Sequence, residues 1–233
     1  MYKCSLVIPC YNEAATIPTL VTHLTALARQ SNEIEVILVD NGSNDASVDM
    51  LPSIAEQHDF IRTVRVPVNH GYGYGILQGL QAAKGQYLGW THADMQTDPL
   101  DSIKGFDLLA SLNGEFRLVK GKRHGRPLAD VFFTIGMSLF DSILFGLPLW
   151  DINAQPTLFT RSFYKSWTDV PHDFSLDLYI YALAAKKRAT IARFPVYFGK
   201  RLHGVSHWNV NWQAKWKFIK RTVDFSLALK KNW

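Results

Sequence analysis

YLGWTHADMQTDP, residues 87–99, sets the architecture of this chain. Tyr87 to Trp90 form a short apolar run without alternation, the mark of a strand buried on both faces of a parallel sheet. The run stops at three polar groups on alternate positions, His92, Asp94 and Gln96, and Thr97 or Asp98 then caps a helix opening at Pro99. On an extended strand end, residues i, i+2 and i+4 face the same way, so the three side chains are expected to converge on one cation. Asp and Gln supply oxygen ligands suited to Mg²⁺ or Mn²⁺ on a diphosphate, and the imidazole of His92 shifts the preference toward Mn²⁺. A helix cap alone accounts equally well for His92 and less well for Asp94.

The same strand-then-polar-loop pattern recurs on both sides. SLVIP (5–9), EVILVD (35–40), IRTVRV (61–66) and RLVKG (117–121) read as further strands. Helical stripes lie between them: Ile17, Leu20, Val21, Leu24 and Leu27 within 13–30, then Val48, Leu51, Ile54 and Ala55. Further helices are expected over about 74–84, after a glycine run, and over 99–111. This alternation predicts an α/β fold, a mostly parallel sheet flanked by helices on both faces. Ligands in such folds bind at the carboxyl ends of the strands. Those ends carry Pro9 to Glu13, Asp40 to Asp45, Asn69 to Gly73, His92 to Gln96 and Gly121 to Arg123, all polar or glycine-punctuated.

The chain has 233 residues, 47% of them apolar, enough for one sizeable core. Its net charge is +5, unevenly placed. Residues 208–233 hold six basic side chains against Asp224 alone, and the rest of the chain balances 19 basic with 19 acidic groups. Residues 1–207 are therefore expected to form one domain, which the resemblance given below implies to be catalytic, and 208–233 a basic, Trp-rich helical tail. Wound as a helix, the tail places Trp208, Trp212, Trp216, Ile219, Val223 and Leu227 on one stripe, suited to the headgroup layer of a membrane. The alternative is a helix docked on the domain by that aromatic stripe. Nucleic acid is set aside as a partner, because nothing else in the chain is basic. Cys4 and Cys10 flank one strand and read as inert buried thiols. No leader precedes the first strand and no stretch is apolar enough to span a bilayer, so a cytoplasmic domain is expected. Residues 131–150, interrupted by Asp141 and ended by Pro148, read as a buried or membrane-surface helix.

Two further motifs are ambiguous alone. In VDNGSND, Asp40 can accept hydrogen bonds from the edge of a nucleobase, or the segment is only a turn with a helix cap. In NHGYGYGILQG the glycines fall at 71, 73, 75 and 79, outside the dinucleotide fingerprint, and a nicotinamide-dependent oxidoreductase is thereby disfavoured. That glycine run admits either an anion at the helix start or tight helix–strand packing.

The order of the motifs is more specific than any one of them. VIPCYNE, VDNGSNDAS, NHGYGYGILQGLQAAKGQYLGWTHADMQTDP, VKGKRHG and FSLDLYIYALAAKKRATIARFPVYFGKRLHGVSHW together resemble family 2 glycosyltransferases of GT-A fold. The nearest branch is the dolichyl-phosphate or polyprenyl-phosphate mannosyltransferases. The resemblance implies that Pro9, Tyr11, Glu13 and Asp40 cradle the base and ribose of a nucleotide diphosphate sugar, with Asn69 and Gly73 beside them. It implies that Asp94 and Gln96, with His92, hold a divalent cation on the diphosphate, and that Arg123 and Arg201 contact phosphates. Asp151 and Asp177 then face the sugar and the acceptor. Four departures stand out: His92 replaces the first acid of the D-x-D pattern, Asn41 an acid after Asp40, DINAQPTLFTR (151–161) the usual D-x-x-S-G-F-R, and His207 a lysine.

The implied chemistry is inverting sugar transfer with a nucleoside diphosphate as leaving group. A polyprenyl-phosphate acceptor needs no general base, because its phosphate is already ionised. A glycan or glycolipid hydroxyl needs one, and Asp151 or Asp177 is the candidate. A non-catalytic sugar-nucleotide-binding relative is the third reading, kept open by His92.

Overall fold

The computed structural model describes residues 2–202 and 212–231. His207 and Trp208 lie outside the described residues. Seven strands form one sheet in the order β3-β2-β1-β4-β6-β5-β7. Strands β1 (Cys4–Cys10), β2 (Ile34–Asn41), β3 (Ile61–Val66) and β4 (Tyr87–Trp90) are parallel neighbours, with Val7 beside both Ile37 and Trp90. The chain leaves β1 toward β2 and β3, then returns to place β4 on the other side of β1, so the topological switch lies between β1 and β4. Strand β6 (Thr157–Thr160) runs antiparallel between β4 and β5 (Arg117–His124), and β7 (Thr190–Tyr197) closes the far edge beside β5.

Period-two side-chain alternation divides the core between the two faces. Cys4, Leu6, Ile8 and Cys10 of β1 pack with α1 (Ile17–Gln30), α2 (Ser47–Gln57) and α4 (Asp101–Ser111) through Leu20, Leu24, Leu51, Phe106 and Leu109. Val7 points the other way, with Val39, Trp90 and Phe159, against α3 (Tyr72–Ala82) and α7 (Leu176–Lys186). Gly79 of α3 lets this helix close on the sheet, since a Cβ there would sit 2.4 Å from Val7. Both cysteines are buried free thiols, and burial pushes the Cys4 thiol up to about 12.

Helices α5 (Leu128–Phe145) and α8 (Trp212–Lys231) lie outside this sandwich, with the short α6 (Arg161–Lys165) following β6. Ser226 hydrogen-bonds Asp141, and four residues on, Lys230 lies 5.8 Å from the ring centre of Phe145, so α5 and α8 run side by side in the same direction. Helix α8 docks through Phe225, Ser226 and Leu229. Of the expected stripe, Trp216 and Leu227 are exposed and Ile219 and Val223 half-buried, so these four do not form the docking face; the side chains of Trp208 and Trp212 lie outside the described residues.

Asp141 is the one misfit in the α5–α8 seam. It is buried, and its Oδ1 has no hydrogen-bond partner among the described residues. The Ser226 hydroxyl is also aligned on the carbonyl of Thr222 at 2.9 Å, and it has only one proton to give. Burial accordingly raises the Asp141 carboxyl to about 6, against the hydrogen bond from Ser226. A carboxyl raised in the folded state costs nothing while both states are protonated, and its cost grows as pH climbs through that range. Asp141→Asn is therefore expected to stabilise the fold above about pH 6, by about 3 kcal/mol, with the gain vanishing near pH 4. Melting curves of both proteins across that range check it; a pH-independent difference would place the effect elsewhere.

Candidate active site

The loops after β1 and β2 are joined to each other. Asn12 donates its backbone N–H to Ser43 Oγ and accepts from the Asn44 N–H, at 3.1 and 2.9 Å. Glu13 N–H reaches Ser47 Oγ and Ala14 N–H reaches Asp45 Oδ2, each at 3.1 Å. Asp40 is buried at the end of β2; its Oδ1 accepts the Ser43 N–H at 2.9 Å and its Oδ2 lies 3.8 Å from Arg65. Pro9 and Glu13 are half-buried along the rim and Tyr11 is exposed there. Burial raises the Glu13 carboxyl above its ordinary value, opposed by Thr16 and Arg201.

The loop after β4 differs from the extended arrangement expected of it. Strand β4 ends at Trp90, and Met95 takes left-handed backbone at φ 58°. Asp94 Oδ1 accepts the Gln96 N–H at 3.1 Å, so a turn, not strand alternation, brings these two residues together. Arg201 then bridges them, from Nη2 to Asp94 Oδ2 at 3.0 Å and from Nε to Gln96 Oε1 at 3.3 Å. The ring of His92 stacks on Tyr72 at 5.6 Å, and Tyr72 on Phe174 at 4.5 Å. Burial lowers the His92 pKa, against Asp94 and Asp177; Arg201 and Arg123 act in the same direction as burial. Among the described residues no three His, Cys, Asp or Glu side chains gather as a metal cluster. The residues expected to hold a cation offer one carboxylate, one amide oxygen and one imidazole, donors whose chemistry would fit Mn²⁺ and, through the oxygens, Mg²⁺.

The glycine run serves packing at Gly73 and Gly79. A Cβ on Gly73 would meet the Pro171 carbonyl at 2.7 Å, so this position seats the 171–173 backbone on α3. Asn69 accepts the Gly71 N–H at 2.8 Å, beside the β2–α2 loop. Asn41, where an acid was expected, donates to the Gly71 carbonyl at 3.0 Å.

The two carboxylates expected to face the acceptor are both engaged. Asp151, in left-handed backbone at φ 47°, accepts Arg123 Nε at 2.8 Å and the Arg123 N–H at 3.0 Å. Arg126 and Arg193 each lie 3.7 Å from it. The Arg123 guanidinium holds the Asp151 carboxyl below its ordinary range in spite of burial. Asp177 is buried at the start of α7, 3.2 Å from Lys120 Nζ, 2.9 Å from Gln155 Nε2 and 3.4 Å from Thr157. Both carboxylates are thus held in ion pairs in this structure. Lys120, Arg126, Arg193 and Gln155 were absent from the sequence reading. Lys120 alone left a signal, a lysine on the same strand face as Leu118 in an otherwise apolar run.

Known proteins match this geometry. The model of glycosyl transferase family 2 covers residues 5–123. The undecaprenyl-phosphate 4-deoxy-4-formamido-L-arabinose transferase of Aeromonas hydrophila is 34% identical over 118 residues, 46% of this chain and 36% of that protein. This chain thus spans about a third of the length of that relative. The dolichol-phosphate mannosyltransferase of Mycosarcoma maydis is 25% identical over 95% of this chain and 78% of its own length. Among solved structures, glucosyl-3-phosphoglycerate synthase of Mycobacterium tuberculosis, in complex with Mn²⁺, UDP-glucose and phosphoglyceric acid, superposes with a TM-score of 0.75. It covers 98% of this chain and 79% of its own at 18% identity. A mannosyltransferase of Pyrobaculum calidifontis with GDP-mannose and Mn²⁺ superposes at 0.62, over 86% of this chain and 57% of its own, also at 18% identity. With the family model spanning half of its length over the strands that build the site, the chain belongs to glycosyl transferase family 2.

Proposed function

We propose that this domain transfers a sugar, with inversion, from a nucleotide diphosphate sugar to the phosphate oxygen of a polyprenyl phosphate. One observation carries the choice of acceptor: Asp151 and Asp177 are both held in ion pairs, while Arg123, Arg126 and Arg193 gather around a single carboxylate. That arrangement offers positive charge and no free base. An acceptor that arrives ionised matches it; a neutral hydroxyl does not.

In this reading Pro9, Tyr11, Glu13, Asp40 and Asn69 line the nucleotide, and His92, Asp94 and Gln96 hold a divalent cation. When bound, that cation neutralises charge developing on the leaving diphosphate. Arg201 turns from Asp94 toward the diphosphate, and Arg123 orients an incoming phosphate. The acceptor oxygen forms its bond to the anomeric carbon from the face opposite the diphosphate, which departs with the bonding pair. No proton has to be removed. A lipid acceptor sets the domain against a membrane, with the C-terminal helix next to that surface.

The test is a transfer assay with Mn²⁺, a panel of GDP- and UDP-sugars, and matched short polyprenyl phosphate and polyprenol acceptors. Product is expected from the phosphate alone. Equal transfer to the alcohol or to a glycan hydroxyl sinks the acceptor assignment. Nucleotide-dependent thermal stabilisation with no transfer to any acceptor would make the chain a binding relative.

A further inference from the structure

Helix α5 gathers its polar side chains, Asp130, Thr134, Ser138, Asp141 and Ser142, on one arc, with Ser138 and Asp141 buried, and leaves large apolar side chains on the opposite side. Leu128, Phe132, Leu139 and Ile143 are 76%, 71%, 56% and 73% exposed. At 3.6 residues per turn they fall within about 60° of arc, a continuous stripe along the helix. Isolated exposed leucines mean little, but an aligned row of large apolar side chains marks an interaction surface. Helix α8, alongside and parallel, exposes a second apolar strip at Trp216 and Leu227, 61% and 44% exposed. Its remaining exposed positions include Lys217, Lys220, Arg221, Lys230 and Lys231, against Asp224.

We infer that α5 and α8 together form a membrane-docking face, in which the α5 stripe enters the acyl boundary of an anionic bilayer and the α8 cations meet its headgroups. The inference deepens the lipid-acceptor reading and moves the insertion from the tail to α5. Charge decides the occupant. An apolar row flanked by five basic side chains and one acid is complementary to an anionic lipid surface. A two-fold pairing of this face with a second copy would instead double the positive charge at one interface. No helix among the described residues is long and apolar enough to cross a membrane, so the contact lies in the plane of the surface.

The experiment uses the full chain and vesicles that contain no polyprenyl phosphate. Co-sedimentation is measured with phosphatidylcholine vesicles, with and without phosphatidylglycerol, at low and high salt. The wild type is expected to partition onto anionic vesicles, less so at high salt. Phe132→Ser with Ile143→Ser, both exposed and so neutral to folding, is expected to weaken that binding about tenfold or more, with an unchanged melting curve. Lys217→Glu with Lys220→Glu is expected to remove the preference for anionic lipid. An Ile143→Cys label sensitive to polarity should shift to the blue on vesicles; Cys4 and Cys10 are buried and do not compete. Unaltered binding by the Phe132/Ile143 variant, or a wild type that stays in the supernatant with every vesicle, overturns the inference. So does a lipid-free dimer that this variant converts to monomers, which would make the stripe a contact between copies. Since no acceptor is present, vesicle binding is read independently of the transfer assay; binding here together with failure of that separate assay would count against the proposed reaction and leave the docking face standing.

Discussion

Asp94→Ala is expected to lower sugar transfer by about a thousandfold or more while the fold survives. Asp94 is the only carboxylate in the proposed donor set of His92, Asp94 and Gln96, so its loss would remove the charge that draws a cation to the diphosphate. Losing one electrostatic contact to a developing charge costs about 10²–10³ in rate, and losing the cation costs more. Arg201, freed from its 3.0 Å partner, is partly exposed and stays solvated, so stability changes little. Asp94→Asn keeps the turn with Gln96 without the charge and is expected to fall nearly as far. Two readouts separate the causes: transfer rate, and thermal stabilisation by a nucleoside diphosphate with and without Mn²⁺. Near-normal turnover in Asp94→Ala would remove the residue from the site.

Lys120→Ala is expected to cost about 3–5 kcal/mol of stability, because it strands a buried carboxylate. Lys120 and Asp177 are both almost fully enclosed, between β5, β6 and α7. Burial lowers the Lys120 pKa and Asp177 opposes that shift, so each charge is tolerated because of the other. Removing both, as Lys120→Met with Asp177→Asn, should recover much of the loss, since Gln155 and Thr157 can still satisfy an amide. Denaturant unfolding of the two single variants and the double variant gives the coupling. Additive losses would show that the pair does not interact. If Asp177 served instead as a base, Asp177→Asn would abolish transfer without this stability signature.

What could be read from sequence follows the range of the forces involved. The strands β1 to β5 and the helices between them announce themselves through local periodicity, and IRTVRV and YLGW match β3 and β4 residue for residue. Strand β6 escapes because TLFT is four residues long and its antiparallel place beside β4 depends on long-range pairing. At the site, the residue types at strand ends were legible, and so was the proximity of Asp94 and Gln96. The reason given for that proximity was not, because a positive φ at Met95 leaves no periodic trace. Lys120, Arg126 and Arg193 were invisible as partners, since ion pairs between distant segments are set by tertiary packing. The stripe on the C-terminal helix was visible, but which face docks depended on where α5 stands.

In the proposed reaction, the bonds that join the loops after β1 and β2 bear on how a nucleotide would be received. Four backbone N–H groups, of Asn12, Glu13, Ala14 and Asn44, are already fixed by side chains of the other loop. Their conformational entropy is lost during folding and not when a ligand arrives. Association at this wall should therefore be fast and should leave its backbone order parameters unchanged, whereas Arg201 must leave Asp94 before the diphosphate is fully held. The rate at which that ion pair opens would then set the pace of productive binding, and disorder introduced by Asn12→Ala would appear as a slower on-rate before any loss in chemistry.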